Sequence, residues 1–197
     1  MKSTVNIEGQ PVEITNGGRK NARAWFTYNR DDPCDTSESQ TGKRIEYIGL
    51  EASLGVIEDV LRECVEADGA SAESSGRNVI AVLGFSQGGT FAHALASLAE
   101  GTHYFRHIDG VICIGAFAAM HTPTGKSKYS QNPPVDRKLG IKSMHVIGKN
   151  DTSVRPQLSN ELASFFHDPV IYEHEKGHLV PSNSASCKAI ISFLDAL

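Results

Sequence analysis

The chain has 197 residues, 40% hydrophobic and 21% charged, which fits one soluble globular domain over residues 1–197 with length enough for a full core. A net charge of −4 lacks the basic balance that nucleic acid or an anionic membrane surface would require, so neither is expected as a partner. No apolar run approaches a membrane span, the opening MKSTVNIEGQ has no apolar leader core, and the four scattered cysteines form no C-x-x-C pair.

Residues 1–22 are the least defined part of the domain. Val5, Ile7, Val12 and Ile14 alternate with polar residues as in short edge strands, and Asn16-Gly17-Gly18 is a turn signal. Arg23-Ala24-Trp25-Phe26 brings the only tryptophan, read as a packing residue near a substrate pocket. The polar stretch 29–43 follows, and a solvated loop accounts for Asp31, Asp32 and Asp35 better than a metal site does. From about Gly49 to Ala67, Leu50, Leu54, Ile57, Leu61, Cys64 and Val65 recur at helical spacing, with acids on the opposite face. Residues 68–76 are small and polar, a surface loop.

The next stretch, VIAVLGFSQGGTFAHALASLA from Val79 to Ala99, organises the chain. Val79 to Gly84 reads as a buried strand, Gly84-Phe85-Ser86-Gln87-Gly88-Gly89 as a sharp turn, and Phe91, Leu95 and Leu98 as the apolar stripe of a helix from Gly88 onward. A bare Gly-x-Ser-x-Gly has little specificity in a chain with 18 glycines; the strand before it and the helix after it supply the rest. Together they form a nucleophile elbow of the α/β-hydrolase kind, in which Gly84 and Gly88 keep side chains out of the bend and the helix start aims N–H groups at negative charge near Ser86.

Strands and helices then alternate. Ile108 to Gly115 and Lys142 to Gly148 read as buried strands, Pro156 to Phe166 as a helix burying Leu158, Leu162, Phe165 and Phe166, and Pro169 to Glu173 as the last strand. The closing helix, Ser184 to Ala196, would bury Cys187, Ile190, Ile191 and Leu194. Cys64 and Cys187 thus fall on apolar helix faces and Cys113 inside a strand, the pattern of reduced core thiols in a cytoplasmic protein. The alternation predicts an α/β class domain with a doubly wound, mainly parallel sheet and helices on both faces. The loop His121 to Leu139 could form part of a lid.

Loops at the carboxyl ends of parallel strands carry the chemistry of such folds, in the order Ser, acid, His. Asp151 follows the strand ending at Gly148, and His178 follows the strand ending near Glu173. Ser86 is then the nucleophile, His178 the base and later the acid, and Asp151 the group that fixes the imidazole tautomer. His174 is the rival to His178, but Gly177 and Pro181 suggest a tight loop that presents His178. His93 and His145, on a helix and in a strand, are read as structural. Gln87 N–H is the expected oxyanion donor, Phe85, Phe117, Met120 and Leu179 are the candidate substrate-pocket residues, and Phe117 and Met120 could wall an acyl pocket. No spacing of His and acids resembles a zinc site, and no cofactor is expected.

The stretches RAWF (Arg23 to Phe26), GLEASLGVIEDVL (Gly49 to Leu61), GFSQGG (Gly84 to Gly89), HVIGKNDTSV (His145 to Val154) and HEKGHLVP (His174 to Pro181) resemble the family of serine hydrolases related to the yeast enzymes of that name and to the human ovarian-cancer-associated serine hydrolase. The resemblance runs from Arg23 to the C-terminus. It implies an α/β-hydrolase acting on small-molecule carboxylic esters or thioesters, with Ser86, Asp151 and His178 at the triad positions. Family members open with a buried strand ending in a His-Gly turn, and the turn after that strand supplies a further oxyanion N–H. This chain shows no such His-Gly pair, so the fold is expected to be N-terminally shortened, with Val5 to Ile14 a degenerate copy of the second strand. A cofactor-free serine esterase or thioesterase is therefore one expectation. A catalytically weak relative serving as a binding domain is the other.

Overall fold

The computed structural model describes residues 24–28, 47–70, 80–101, 105–119, 129 and 138–197. The expectations for residues 1–22, for the acids of the 29–43 stretch, for Met120 and for most of the 121–139 loop lie outside these. The elements in chain order are β1 (Thr27–Tyr28), β2 (Tyr47–Ile48), α1 (Leu50–Ala70), β3 (Ala81–Phe85), α2 (Gln87–Gly101), β4 (Gly110–Ile114), β5 (Lys142–Gly148), α3 (Pro156–Ser164), β6 (Val170–His174) and α4 (Ser184–Leu194). β1 and β2 form a short antiparallel pair.

Among the described residues the main sheet has four parallel strands in the order β3-β4-β5-β6. One register line runs Phe85, Ile114, Val146, Tyr172 across it. Because all four strands point the same way, the turns after Phe85, Ile114, Gly148 and His174 gather at one end, where ligands bind in this architecture. β4 is buried along its whole length and β5 from Ser143 onward, as continuous apolar runs between two covered faces should be.

On one face, Val111 and Cys113 pack with Leu54 and Leu61 of α1, Phe91, Leu95 and Leu98 of α2 and Leu162 of α3. On the other, Ile112, Ile114, Met144 and Val146 meet Phe193 of α4. Helix starts follow local chemistry. Gly49, at φ +84°, turns the chain into α1 in a conformation that costs other residues more. Pro156 occupies the first turn of α3. The Asn183 side chain caps α4 by accepting from Ser186 N at 3.0 Å.

Four burial expectations are corrected. β3, read as a buried strand, leaves Leu83 52% exposed. Phe165 lies beyond the end of α3 and is exposed, while Phe166 turns inward. In α4 the buried line runs through Ser186 and Phe193 with Ile190 partly covered, leaving Cys187, Ile191 and Leu194 outside. The apolar stripe read from spacing is thus rotated by about one residue, because the large Phe193 takes the sheet. Cys64 is likewise exposed, so only Cys113 among the described cysteines is a core thiol, and burial pushes its pKa up to about 12.

Candidate active site

Ser86 sits between β3 and α2 at φ +54°, and it is the only non-glycine with positive φ among the described residues. Its N–H donates to Ile114 O at 2.8 Å, and its own carbonyl accepts from Gly89 N and Thr90 N to begin the helix. The bend requires glycine at two neighbours. A Cβ on Gly84 would lie 2.1 Å from Gly88 O, and one on Gly89 would lie 2.6 Å from Ala116 Cβ. A Cβ on Gly88 would meet only Trp25 Nε1, at an ordinary 3.5 Å. The crowding therefore falls on Gly84 and Gly89, not on the Gly88 of the motif.

Three loops converge on this serine. His178 Nε2 is 3.0 Å from Ser86 Oγ, and His178 Nδ1 is 2.7 Å from Asp151 Oδ2. Asp151 is buried, and its other oxygen, Oδ1, accepts from Ser153 N at 2.9 Å and Val154 N at 2.8 Å. A carboxylate only accepts, so Nδ1 of His178 carries the proton and Nε2 presents a lone pair to the hydroxyl. Gly115, at φ +51°, makes the approach feasible: a Cβ there would crowd His178 Nδ1 at 3.2 Å and Asp151 Oδ2 at 3.3 Å.

The loops bearing Asp151 and His178 are bound to each other. Lys149 N donates to His174 O at 2.8 Å, Asn150 N to Lys176 O at 3.3 Å, and Asn150 Nδ2 to Glu175 O at 2.5 Å. Lys149 Nζ pairs with Glu175 at 2.7 Å, a contact that raises the lysine pKa. Gly148 lets the loops touch, since a Cβ there would stand 2.7 Å from both Gly177 O and Lys176 O. His174, the rival base, is buried at the end of β6, and its Nδ1 accepts from Lys176 N at 3.2 Å. Desolvation first, then the Lys176 charge, lowers its pKa.

Phe85 packs its ring against His178, centroids 4.7 Å apart, and stays partly exposed, as do Leu179 and Val180 just beyond the histidine. Phe117 is half-buried in the loop after β4. That loop is held by residues that spacing did not single out. Thr90 Oγ1 donates to Phe117 O at 2.8 Å, His93 Nδ1 accepts from Ala119 N at 2.9 Å, and Ser159 Oγ donates to Ala116 O at 2.8 Å. His93 and His145 both sit in the core against Phe166. Burial lowers each to a pKa of about 4, and for His93 the nearby His145 adds to the effect. Among the described residues no cluster of His, Cys, Asp or Glu could hold a metal ion, and no helix is long and apolar enough to cross a membrane.

Comparison with known proteins places this geometry in context. The family model described as "Serine hydrolase (FSH1)" matches residues 2–190. The chain is 30% identical over 172 residues to Esterase OVCA2 of Xenopus tropicalis, covering 87% of this chain and 64% of that protein. To human Esterase OVCA2 it is 29% identical over 175 residues, covering 87% of this chain and 66% of the relative. The chain thus spans a little under two thirds of the length of these relatives. Among solved structures, acyl-protein thioesterase 2 of Zea mays superposes with a TM-score of 0.57 at 16% identity, covering 90% of this chain and 75% of that one, which establishes the shared fold. With a parallel sheet, a serine on a strained strand-to-helix turn and a family model matching nearly end to end, the chain is an α/β-hydrolase that belongs to the FSH1 family of serine hydrolases.

Proposed function

We propose that this chain hydrolyses carboxylic esters or thioesters through an acyl-enzyme on Ser86, with His178 and Asp151 completing the triad. One observation carries the reading: a single line of hydrogen-bonding atoms runs from Ser86 Oγ through both ring nitrogens of His178 to a buried carboxylate. His178 Nε2 takes the hydroxyl proton as Oγ bonds to the substrate carbonyl carbon, and Asp151 balances the imidazolium. The carbonyl oxygen becomes an oxyanion facing the N–H of Gln87 at the start of α2, where the first helical N–H groups have no intrahelical partner. Collapse of the tetrahedral intermediate breaks the bond to the leaving alcohol or thiol, which receives the proton from His178. A water then repeats the cycle, and the acid departs with Ser86 restored. Partly exposed Phe85 and Leu179, with Phe117 nearby, suit an apolar substrate. The names of the relatives, esterases, and of the maize protein, a thioesterase, agree with this reaction class.

Labelling with a fluorophosphonate, read by intact mass, tests the proposal. The wild type should take one adduct and Ser86→Ala none, with ester hydrolysis by the variant lowered by about 10³-fold or more. A folded wild-type protein that takes no adduct would overturn the reading and leave the binding-domain alternative.

A further inference from the structure

The Gln87 side chain is committed to the segment before β1. Its Oε1 accepts from Trp25 N at 2.9 Å and its Nε2 donates to Phe26 O at 2.9 Å, so one amide pairs with this backbone as a neighbouring strand would. Two further anchors act on the same segment. Ser53 Oγ of α1 donates to Trp25 O at 2.5 Å, and the Phe26 ring is buried against Tyr47 with centroids 4.4 Å apart. Trp25 itself, by contrast, is left 38% exposed. It lies flat on Phe91, 4.8 Å between centroids and 7° between planes, over the first turn of α2. An aromatic ring held this firmly yet left open beside a nucleophile is a preformed surface for a ligand.

Its side of the elbow says which part of a substrate it meets. His178 has to hand its proton to the leaving atom, so the leaving group lies toward His178 and Phe85, on the β3 side of Ser86. Trp25 is held through Gln87 and lies by Gly88 and Phe91, on the α2 side. We infer that the Trp25 indole is the wall of the acyl-group subsite, taking an apolar acyl chain, and that the Gln87 side chain is a positioning residue that holds it there. The inference rests on the esterase reading above. It gives Gln87 a role separate from its backbone N–H, which any side chain at that position retains.

The test compares kcat/KM for p-nitrophenyl octanoate and p-nitrophenyl acetate, which share a leaving group, in wild type, Trp25→Ala, Gln87→Ala and the double variant. The octanoate-to-acetate ratio should fall about tenfold in each single variant, the scale of a lost apolar contact in a pocket. The double variant should fall no further, because Gln87 acts through Trp25. Trp25→Leu, which keeps an apolar side chain in the anchored segment, should show a smaller fall and serves if the alanine variant does not fold. An unchanged ratio in the folded Trp25 variants overturns the inference. So does a Gln87→Ala effect that persists undiminished in the Trp25→Ala background. A small methyl fluorophosphonate separates the two readings: wild type labelled at Ser86 with an unmoved ratio rejects the acyl wall alone, whereas an unlabelled wild type rejects the esterase reading itself.

Discussion

The two faces of the sheet are built differently. On the face shared with α1, α2 and α3, apolar side chains from three helices close over β4 and β5, and Leu95 and Leu98 have no exposed surface. On the opposite face, among the described residues, α4 is the one helix over Ile112, Ile114, Met144 and Val146. Leu83 is the sheet partner of Ile112, yet it is 52% exposed where Ile112 is sealed, and Ile191 of α4 is 56% exposed nearby in sequence to buried Phe193. The thick face also carries the fittings of the candidate site: α2 begins at the residue after Ser86, Thr90 and His93 hold the loop after β4, and Gln87 holds Trp25. Position of the reactive groups and burial of the core are thus the same problem on one side of this sheet. On the other side they are separable.

Leu95→Ala should show the largest loss of stability. Truncating a fully buried leucine at the centre of α2 leaves a cavity that the surrounding helices cannot fill, at a cost of about 2–5 kcal/mol. Denaturant unfolding followed by circular dichroism measures it. A loss under about 1 kcal/mol would mean that the thick face is less tightly packed than its burial says.

Acid tests the same face through its histidines. His93 and His145 have pKa values lowered from 6.5 to about 4 by burial, so folding holds them neutral. A depressed histidine pKa means that the unfolded chain binds more protons, so this contribution to stability is whole above pH 6.5 and is lost as pH falls toward about 4. Between them the two groups should remove about 3 kcal/mol by pH 5.5. His145→Met removes one titration together with a buried Nδ1 that lacks a hydrogen-bond partner, and it should cut that acid loss by about half. Unfolding curves at pH 7.5 and 5.5 for both proteins decide it, and an undiminished acid loss in the variant would exclude His145 as its source.

The same contrast explains what was legible in the sequence. β4 and β5 announce themselves as unbroken apolar runs because both their faces are covered, and β5 falls at Lys142–Gly148 as read. The Ser86, Asp151 and His178 loops could be listed because strand ends mark them, and the structure brings those three side chains together. α4 misleads because, among the described residues, it is the one helix on its face of the sheet: apolar Ile191 and Leu194 stay exposed, and spacing does not tell covered from uncovered apolar residues. The crowding that requires glycine at Gly89 was not legible because its neighbour is Ala116, on a different strand turn, and a clash across the fold leaves no local pattern. The Gln87 clamp joins residues 62 positions apart, and a glutamine after a serine carries no sign of where its amide will reach.

The smallest expected effect lies on the open face and sharpens the contrast most. Leu83→Thr removes apolar surface that is already half in water and introduces a β-branched side chain suited to a strand. At about 25 cal/mol for each Å² of apolar area, only the covered half of the side chain contributes, so the change should cost less than about 1 kcal/mol. Ser86 lies three residues further on, but Leu83 points away from the α2 face to which Val82 packs, so labelling of Ser86 should proceed at the wild-type rate. Stability and labelling kinetics of this one variant measure both halves of the comparison. A loss as large as that of Leu95→Ala would show that Leu83 is covered in solution, and the unequal faces would then be equal after all.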